Sequence, residues 1–179
     1  IKESKELGKP FMLMCQHKAP HRTWMPALRH LHLYDDIDIP EPKTLFDQYE
    51  GRIPAQHQEM EIDRHMYLDH DLFTDLHPDL DFPKQRRPSE DRSAYINMKR
   101  MTPDQLKTWR AAYDPKDKAF RKAKLTGRDL VRWKFQRYAK NYLRAIKGVD
   151  ENLARLRKAL EDQDLADNTV FVYSSDQGF

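Results

Sequence analysis

Two short polar segments of the chain carry residue types that bind anions or metal ions. The first is the run His17–His21, in which Lys18 and Pro20 separate two histidines directly after an apolar segment. Two imidazoles and an ammonium group form a cationic, hydrogen-bonding pocket, which an oxyanion such as sulfate or phosphate would favour. A zinc pair is disfavoured, since Pro20 opposes the helix that would place residues four apart on one face. The structural alternative is a tight loop whose histidine bonds the backbone.

The second segment, Ser174–Phe179, follows another apolar run and contains Asp176 and Gln177. A carboxylate and an amide are hard oxygen donors, the ligands that Ca²⁺ and Mg²⁺ prefer in proteins. In an open α/β sheet such groups gather just beyond the carboxyl ends of the strands. The pattern therefore predicts a divalent-cation site at Asp176 and Gln177, with an Asx-type turn closing the strand as the alternative.

Two apolar segments are expected to be the strands that present these groups. Phe11–Cys15 is a continuous apolar run after the turn residues Gly8–Pro10, a pattern typical of a strand buried on both faces of a parallel sheet, although a helix can share it. Thr169–Tyr173 is rich in β-branched and aromatic residues, which favour a strand. We expect the two strands to be neighbours in one sheet and Cys15 to be a buried thiol.

Helices are predicted for the second half of the chain. Thr102 and Gln105 form a capping-box pair at the start of a helix over Pro103–Ala112, and a further helical stretch follows over Lys116–Lys124. Apolar residues then recur at alternating steps of four and three, which predicts one long helix over Arg128–Glu161. The members of this stripe are Phe135, Ala139, Tyr142, Ile146, Val149, Leu153, Leu156 and Leu160.

The connections between these elements indicate the fold class. The long helix enters the second strand through Leu165–Asn168, which makes half of a βαβ unit, and the earlier strand supplies the other half. The segment Tyr34–Glu90 is proline-rich and predicts long surface loops with short helices, such as one over Gln56–Tyr67. The predicted fold is α/β, a partial α/β sandwich with few parallel strands, a long C-terminal helix and a proline-rich irregular middle.

Composition and charge disfavour several functional classes. No stretch of about 18 apolar residues is present, so no membrane span is expected. The 32 basic and 29 acidic residues are mixed along the chain, so the net charge of +3 indicates neither nucleic acid nor a membrane surface as a partner. The single cysteine excludes an intrachain disulfide and a cysteine-built zinc site. A basic helical interaction module, or a nucleic-acid binder using Arg128–Lys158, is a rival hypothesis, but Asp129, Asp150 and Glu151 interrupt that basic face.

Two other features are interpreted as structural. The polar residues Asp150–Asn152 in the long helix are taken as a solvated helix face. Four aromatic side chains could stack on sugars, but core packing is the expectation for Trp24, Trp109, Trp133 and Tyr138.

Taken in order, these segments resemble the type I sulfatases of the alkaline-phosphatase-like superfamily. The run K-P-F-M-L-M-C-Q-H-K-A-P-H over Lys9–His21 is similar to the sulfatase strand that ends in an A-P-H loop. Tyr138–Asn152, Leu165–Val170 and the final S-S-D-Q-G-F are similar to the family's late helix, connector and metal-binding strand end. The resemblance covers the two ends of the chain, and bacterial sulfatases acting on glycosaminoglycan or other glycan sugars are the most similar.

The resemblance implies an activity and particular roles. Asp176 and Gln177 fall where the family binds Ca²⁺ through an aspartate and an amide or imidazole. His21 falls where the A-P-H histidine contacts sulfate, and Lys18 is a candidate substrate contact without a firm family role. The implied reaction is attack on sulfur by a hydrated formylglycine, while the cation and basic side chains stabilise the developing negative charge. The implied partner is a sulfated carbohydrate, and the implied location is periplasmic or extracellular.

The chain also departs from the family pattern. The formylglycine arises from a C/S-x-P-x-R stretch, which the chain does not contain, and Cys15 is followed by Gln16 and His17 instead. The early acidic metal ligands are absent too, and Asp35-Asp36 is not a substitute, because no strand precedes it. We therefore expect residues 1–179 to be an internal fragment of one catalytic domain, inactive alone, with the nucleophile upstream.

This expected fragment has three parts, namely the proline-rich loops 34–90, the helical segment 103–124 and the long helix plus strand 128–174. Phosphodiesterases and phosphomutases of the same superfamily, which normally bind two transition-metal ions, are the alternative reading of the activity.

Overall fold

The computed structural model describes residues 1–53, 58, 61–74 and 93–176. These residues divide into two compact units. The first unit comprises Ile1–His17 and Val149–Phe179, and the second comprises Lys18–Gly148.

The secondary structure of the described residues is helical. The α-helices are α1 Lys2–Glu6, α2 Ile62–His65, α3 Ser93–Lys99, α4 Pro103–Ala123 and α5 Gly127–Glu161, and 3₁₀ turns occur at Leu28–His30 and Ala166–Asn168. None of these helices is long and apolar enough to cross a membrane. Helix α2 lies inside the predicted Gln56–Tyr67 helix, of which residues 56–57 and 59–60 are outside the described residues.

Helix α4 begins at the predicted capping box. The Gln105 N–H donates to Thr102 Oγ1 over 3.3 Å, and the Thr102 N–H donates to Gln105 Oε1 over 2.9 Å, so two N–H groups of the first turn are satisfied. The predicted break after Ala112 is wrong, because the helix continues through Pro115 to Ala123. Proline removes one ladder donor, but buried Trp109, Ala112, Tyr113 and Asp117 lie on both sides of it, and this burial stabilises the uninterrupted helix.

Helix α5 confirms the long helix predicted over Arg128–Glu161 and begins one residue earlier, at Gly127. Three of the eight residues of the predicted stripe, Phe135, Val149 and Leu160, are buried, and the other five are half-buried. Val131 and Ala145, which the stripe did not include, are buried as well. A second set of buried side chains on this helix is polar, and consists of Lys134, Arg137, Asn141 and Arg144. The helix therefore contributes both packing and a buried polar network.

The core of the second unit consists of two hydrophobic clusters. The first contains Leu31, Phe73, Ala94, Tyr95, Met98, Trp109, Ala112 and Tyr113, and the second contains Trp24, Met66, Leu72 and Ala145, with Trp133, Tyr138 and Tyr142 packed against it. Trp109 stacks on Tyr113 with ring centroids 4.2 Å apart, and Trp24 meets the edge of Tyr138 at 4.8 Å. The expectation that the aromatic residues serve the core is confirmed.

The two predicted strands are not confirmed. The described residues contain no β-strand, and Met12 and Val170 are 84% and 89% exposed. Cys15 is also exposed, so the prediction of a buried thiol was wrong. A strand is held by ladder hydrogen bonds to a neighbour, and within the described residues neither segment has such a neighbour. The predicted sandwich of parallel strands is therefore not confirmed.

Candidate functional site

The first candidate segment forms a tight turn at the start of the second unit. The His21 N–H donates to the Lys18 carbonyl over 2.8 Å, and the Ala19–Pro20 peptide between them is cis. The side chains of Lys18 and His21 are both exposed. The turn therefore brings the two predicted substrate contacts to its two ends, where both are accessible.

The His21 ring is oriented by its own backbone. Its Nδ1 lies within hydrogen-bond distance of the Arg22 carbonyl oxygen. A carbonyl oxygen can only accept, so this contact places the proton of the neutral imidazole on Nδ1. Nε2 then carries the free lone pair, because the hydrogen bond at one ring nitrogen sets the state of the other.

The residue that supplies this carbonyl is anchored through its side chain. Arg22 donates from Nε to Asp71 Oδ1 and from Nη2 to Asp71 Oδ2, each over 2.6 Å. Nη2 also donates to the His65 carbonyl over 3.3 Å, and the Tyr67 N–H donates to Asp71 Oδ2 over 2.7 Å. This bidentate geometry gives direction as well as attraction, and it ties the His21 turn to the segment after α2.

His17 belongs to the first unit and contacts α5. Arg155 Nη1 donates to Asn152 Oδ1 over 3.2 Å, which leaves the amide nitrogen to donate to His17 Nε2 over 3.2 Å. The interpretation of Asp150–Asn152 as a solvated face is therefore wrong for Asn152, which is half-buried, while Asp150 is exposed. His17 accepts a hydrogen bond from a side chain, and its part in the predicted anion pocket stays a prediction.

The predicted metal ligands lie elsewhere in the chain. Asp176 is exposed and belongs to the first unit, whereas Gln177 lies outside the described residues. Over the described parts of the chain, no group of three or more His, Cys, Asp or Glu residues could hold a metal ion. The carboxylate of Asp176 remains a suitable hard oxygen donor.

Asp35, which its sequence context excluded as a metal ligand, belongs to a partly buried polar network, and its side chain is 33% exposed. Its Oδ1 accepts from Lys116 Nζ over 2.6 Å and from Arg144 Nη2 over 2.5 Å. Partial burial acts to raise the pKa of Asp35, but hydrogen bonds from Lys116 and His32 and the charges of Lys116 and Arg144 outweigh it and hold the pKa below its usual value. Asp35 is therefore neutralised by protein cations.

A second ion pair extends this network into the core. Arg137 Nη2 donates to Asp117 Oδ1 over 2.8 Å, and Arg137 Nε donates to the Leu72 carbonyl over 2.9 Å. Tyr113 donates to Asn141 Oδ1 over 2.7 Å, and burial raises the pKa of its hydroxyl. The charged groups and the Tyr113 hydroxyl are paired with protein groups, whereas Asn141 Nδ2 has no hydrogen-bond partner among the described residues, and we interpret the network as structural.

Comparisons with known proteins define the class. The model of the Sulfatase family matches residues 1–179, and the chain therefore belongs to the sulfatase family, as the resemblance implied. It is 39% identical over 177 residues to an N-acetylglucosamine-6-O-sulfatase of Bacteroides thetaiotaomicron, covering 99% of this chain and 31% of that protein.

A solved structure is similar to this chain in its fold. It is a protein in complex with its substrate, D-glucosamine-2-N,6-O-disulfate, with 38% identity and a TM-score of 0.78 over 94% of this chain and 33% of that one. The chain thus spans about a third of the length of both relatives. The likeness supports the alkaline-phosphatase-like fold of sulfatases.

Proposed function

We propose that the protein containing this chain hydrolyses sulfate esters on glycan or glycosaminoglycan sugars, and that 6-O-sulfated glucosamine is the sugar class. The observation that carries the proposal is the 39% identity over 99% of the chain to an N-acetylglucosamine-6-O-sulfatase. The A-P-H turn supports it, because Lys18 and His21 are exposed at its two ends and can meet a negatively charged ester. A periplasmic or extracellular location is part of the same proposal.

We propose that His21 contacts the sulfate group. Its Nδ1 is bonded to the Arg22 carbonyl, so Nε2 is the nitrogen available to substrate. In the neutral ring this nitrogen accepts a proton or hydrogen bond, and in the protonated ring it donates to a sulfate oxygen. Lys18 would add a positive charge at the other end of the turn, where it can attract the ester oxygens.

We propose that Asp176 and Gln177 contribute to a Ca²⁺ site. An exposed carboxylate and an amide oxygen fit the preference of calcium for hard oxygen ligands. When bound, the ion supplies positive charge that stabilises the negative charge developing on the transferring group. Two ligands are fewer than the six to eight oxygens that calcium usually takes. The remaining ligands and the formylglycine would come from an upstream segment, and residues 1–179 alone would be inactive.

The test is sulfate release by the intact protein that contains this chain. We expect hydrolysis of N-acetylglucosamine 6-sulfate, and loss of most activity in His21→Gln. His32→Gln is the matched control, because His32 is also an exposed histidine of the second unit, with a side chain 74% exposed, and it should retain activity. Hydrolysis of a phosphodiester such as bis(4-nitrophenyl) phosphate, with no hydrolysis of the 6-sulfate, would refute the sulfatase proposal and favour the phosphodiesterase alternative.

A further inference from the structure

We infer that the Arg22–Asp71 pair is a positioning device for His21, with Asp71 as a positioning residue that acts through Arg22. The inference rests on the proposed function, because His21 has a task in turnover only if the protein binds a sulfate ester. It adds a residue far from the A-P-H motif in sequence, since Arg22 and Asp71 are 49 positions apart.

The pair is built to hold one geometry. The Asp71 side chain is fully buried, whereas that of Arg22 is 37% exposed. A buried carboxylate needs a charged or hydrogen-bonding partner, and both Asp71 oxygens accept from the Arg22 fork. Tyr67 adds a backbone hydrogen bond to Asp71, and its ring lies under the guanidinium at 5.8 Å. The Arg22 side chain therefore has little freedom to move away from Asp71.

The same residue controls the His21 ring through its main chain. The Arg22 carbonyl accepts from His21 Nδ1, so the position of the Arg22 peptide decides where the ring points and which nitrogen holds the proton. If the Arg22 side chain is no longer held by Asp71, the Arg22 carbonyl can move, and the His21 ring that donates to it is then no longer held in one orientation. Asp71 is thus linked to Nε2 of His21 through one residue, with no contact of its own to substrate.

A purely structural role is the competing explanation, and the chain supplies a control for it. Arg137–Asp117 is another Arg–Asp pair of the second unit with a buried carboxylate, and its N–O distance is 2.8 Å. Asp117→Asn and Asp71→Asn therefore each remove the charge of a buried aspartate that is bonded to an arginine, but Asp71 is the aspartate bonded to the residue whose carbonyl accepts from His21.

The first experiment compares kcat/KM per folded molecule in the intact protein. Asp71→Asn should lower it about 10- to 100-fold, by analogy with the range typical when groups that orient a metal-ligating histidine are removed, while Asp117→Asn should change it less than about 2-fold. Arg22→Lys keeps the charge but loses the bidentate fork, so it should fold and fall between these values. In a His21→Gln background, Asp71→Asn should have no further effect on turnover.

The second experiment needs no turnover. With ¹⁵N-histidine labelling, at a pH where the imidazole is neutral, the His21 signals should show a single Nδ1–H tautomer in the parent protein. A mixture of tautomers is expected in Asp71→Asn and in Arg22→Lys. His21 signals are assigned by their loss in His21→Gln.

Three results would overturn the inference. They are equal activity losses in Asp71→Asn and Asp117→Asn, additive losses in the His21→Gln background, and an unchanged Nδ1–H tautomer in both Asp71→Asn and Arg22→Lys. A parent protein without sulfate-ester hydrolysis would refute the proposed function, and the tautomer measurement would then still decide whether Asp71 orders His21.

Discussion

Removal of one member of the Arg137–Asp117 pair should destabilise the protein strongly. The two side chains are only 6% and 7% exposed, and burial lowers the pKa of Arg137, which shows that the charge is poorly solvated. Asp117→Leu would leave that guanidinium without its carboxylate. Loss of one partner of a buried pair costs about 3–5 kcal/mol in the free energy of unfolding, and this is the expected loss.

Removal of both charges should cost less than removal of one. In Asp117→Leu/Arg137→Met neither charge of this pair remains, and the replacement of a buried ion pair by apolar side chains often leaves the stability unchanged. The Leu72 carbonyl still loses its donor, which costs about 1–3 kcal/mol, and the Tyr113 ring loses a guanidinium 4.3 Å from its centroid. We therefore expect the double variant to lie between the parent and Asp117→Leu.

The assay is urea unfolding of the intact protein, followed by tryptophan fluorescence and circular dichroism for all three proteins. The reasoning fails if Asp117→Leu loses less than about 1 kcal/mol, because the pair would then behave like a solvent-exposed one. It also fails if the double variant is less stable than Asp117→Leu, since that would mean that the packing of Arg137 outweighs its charge.

Three further predictions concern acid stability, a helix end and calcium. The pKa of Asp35 is held below 3.8 in the folded protein, so the ionised carboxylate stabilises the fold above that pH, and this stabilisation is lost as the pH falls through the folded-state pKa. In acid titrations followed by circular dichroism, Asp35→Asn should be less stable than the parent at neutral pH. Its stability should also decline less steeply than that of the parent below pH 3.8. Thr102→Ala removes the acceptor of the Gln105 N–H and should cost about 1 kcal/mol in urea unfolding, whereas Thr102→Ser should retain most of the stability. Asp176→Asn should weaken calcium binding in calorimetry of the intact protein and raise the calcium concentration needed for sulfate release; unchanged calcium binding would remove Asp176 from the proposed site.

Helices were predictable because their signals are local. The capping box at Thr102 and the stripe from Phe135 to Leu160 lie within a few turns of one element, so neighbouring residues carry the whole pattern. The break predicted after Ala112 was wrong, because the local effect of Pro115 competes with the burial of Trp109, Tyr113 and Asp117. Burial depends on residues far away in the sequence, and the local pattern cannot weigh it.

The predictions of the two strands were not confirmed for a related reason. An apolar run such as Phe11–Cys15 indicates that its side chains favour burial, but a β-strand forms only with hydrogen bonds to a neighbouring strand. The described residues provide no such neighbour, and Val170–Tyr173 are exposed there as well. The sequence pattern therefore indicates a preference for burial, while the secondary structure depends on which other segments are present.

The candidate site likewise has residues that a contiguous sequence motif predicts and residues that only contacts between distant parts of the sequence identify. His21 and Lys18 were identifiable because the A-P-H turn is contiguous, and the turn does form. Arg22, Asp71 and Asn152 were missed as partners because their contacts join residues 49 and 135 positions apart. Nothing near Asp71 in the sequence distinguishes it from the other aspartates and glutamates, of which the chain has 29 with Asp71 included. An arginine directly after the candidate histidine is the one local signal, because a guanidinium can form a bidentate pair with a carboxylate. Only the fold shows that such a pair forms and that its carboxylate is Asp71.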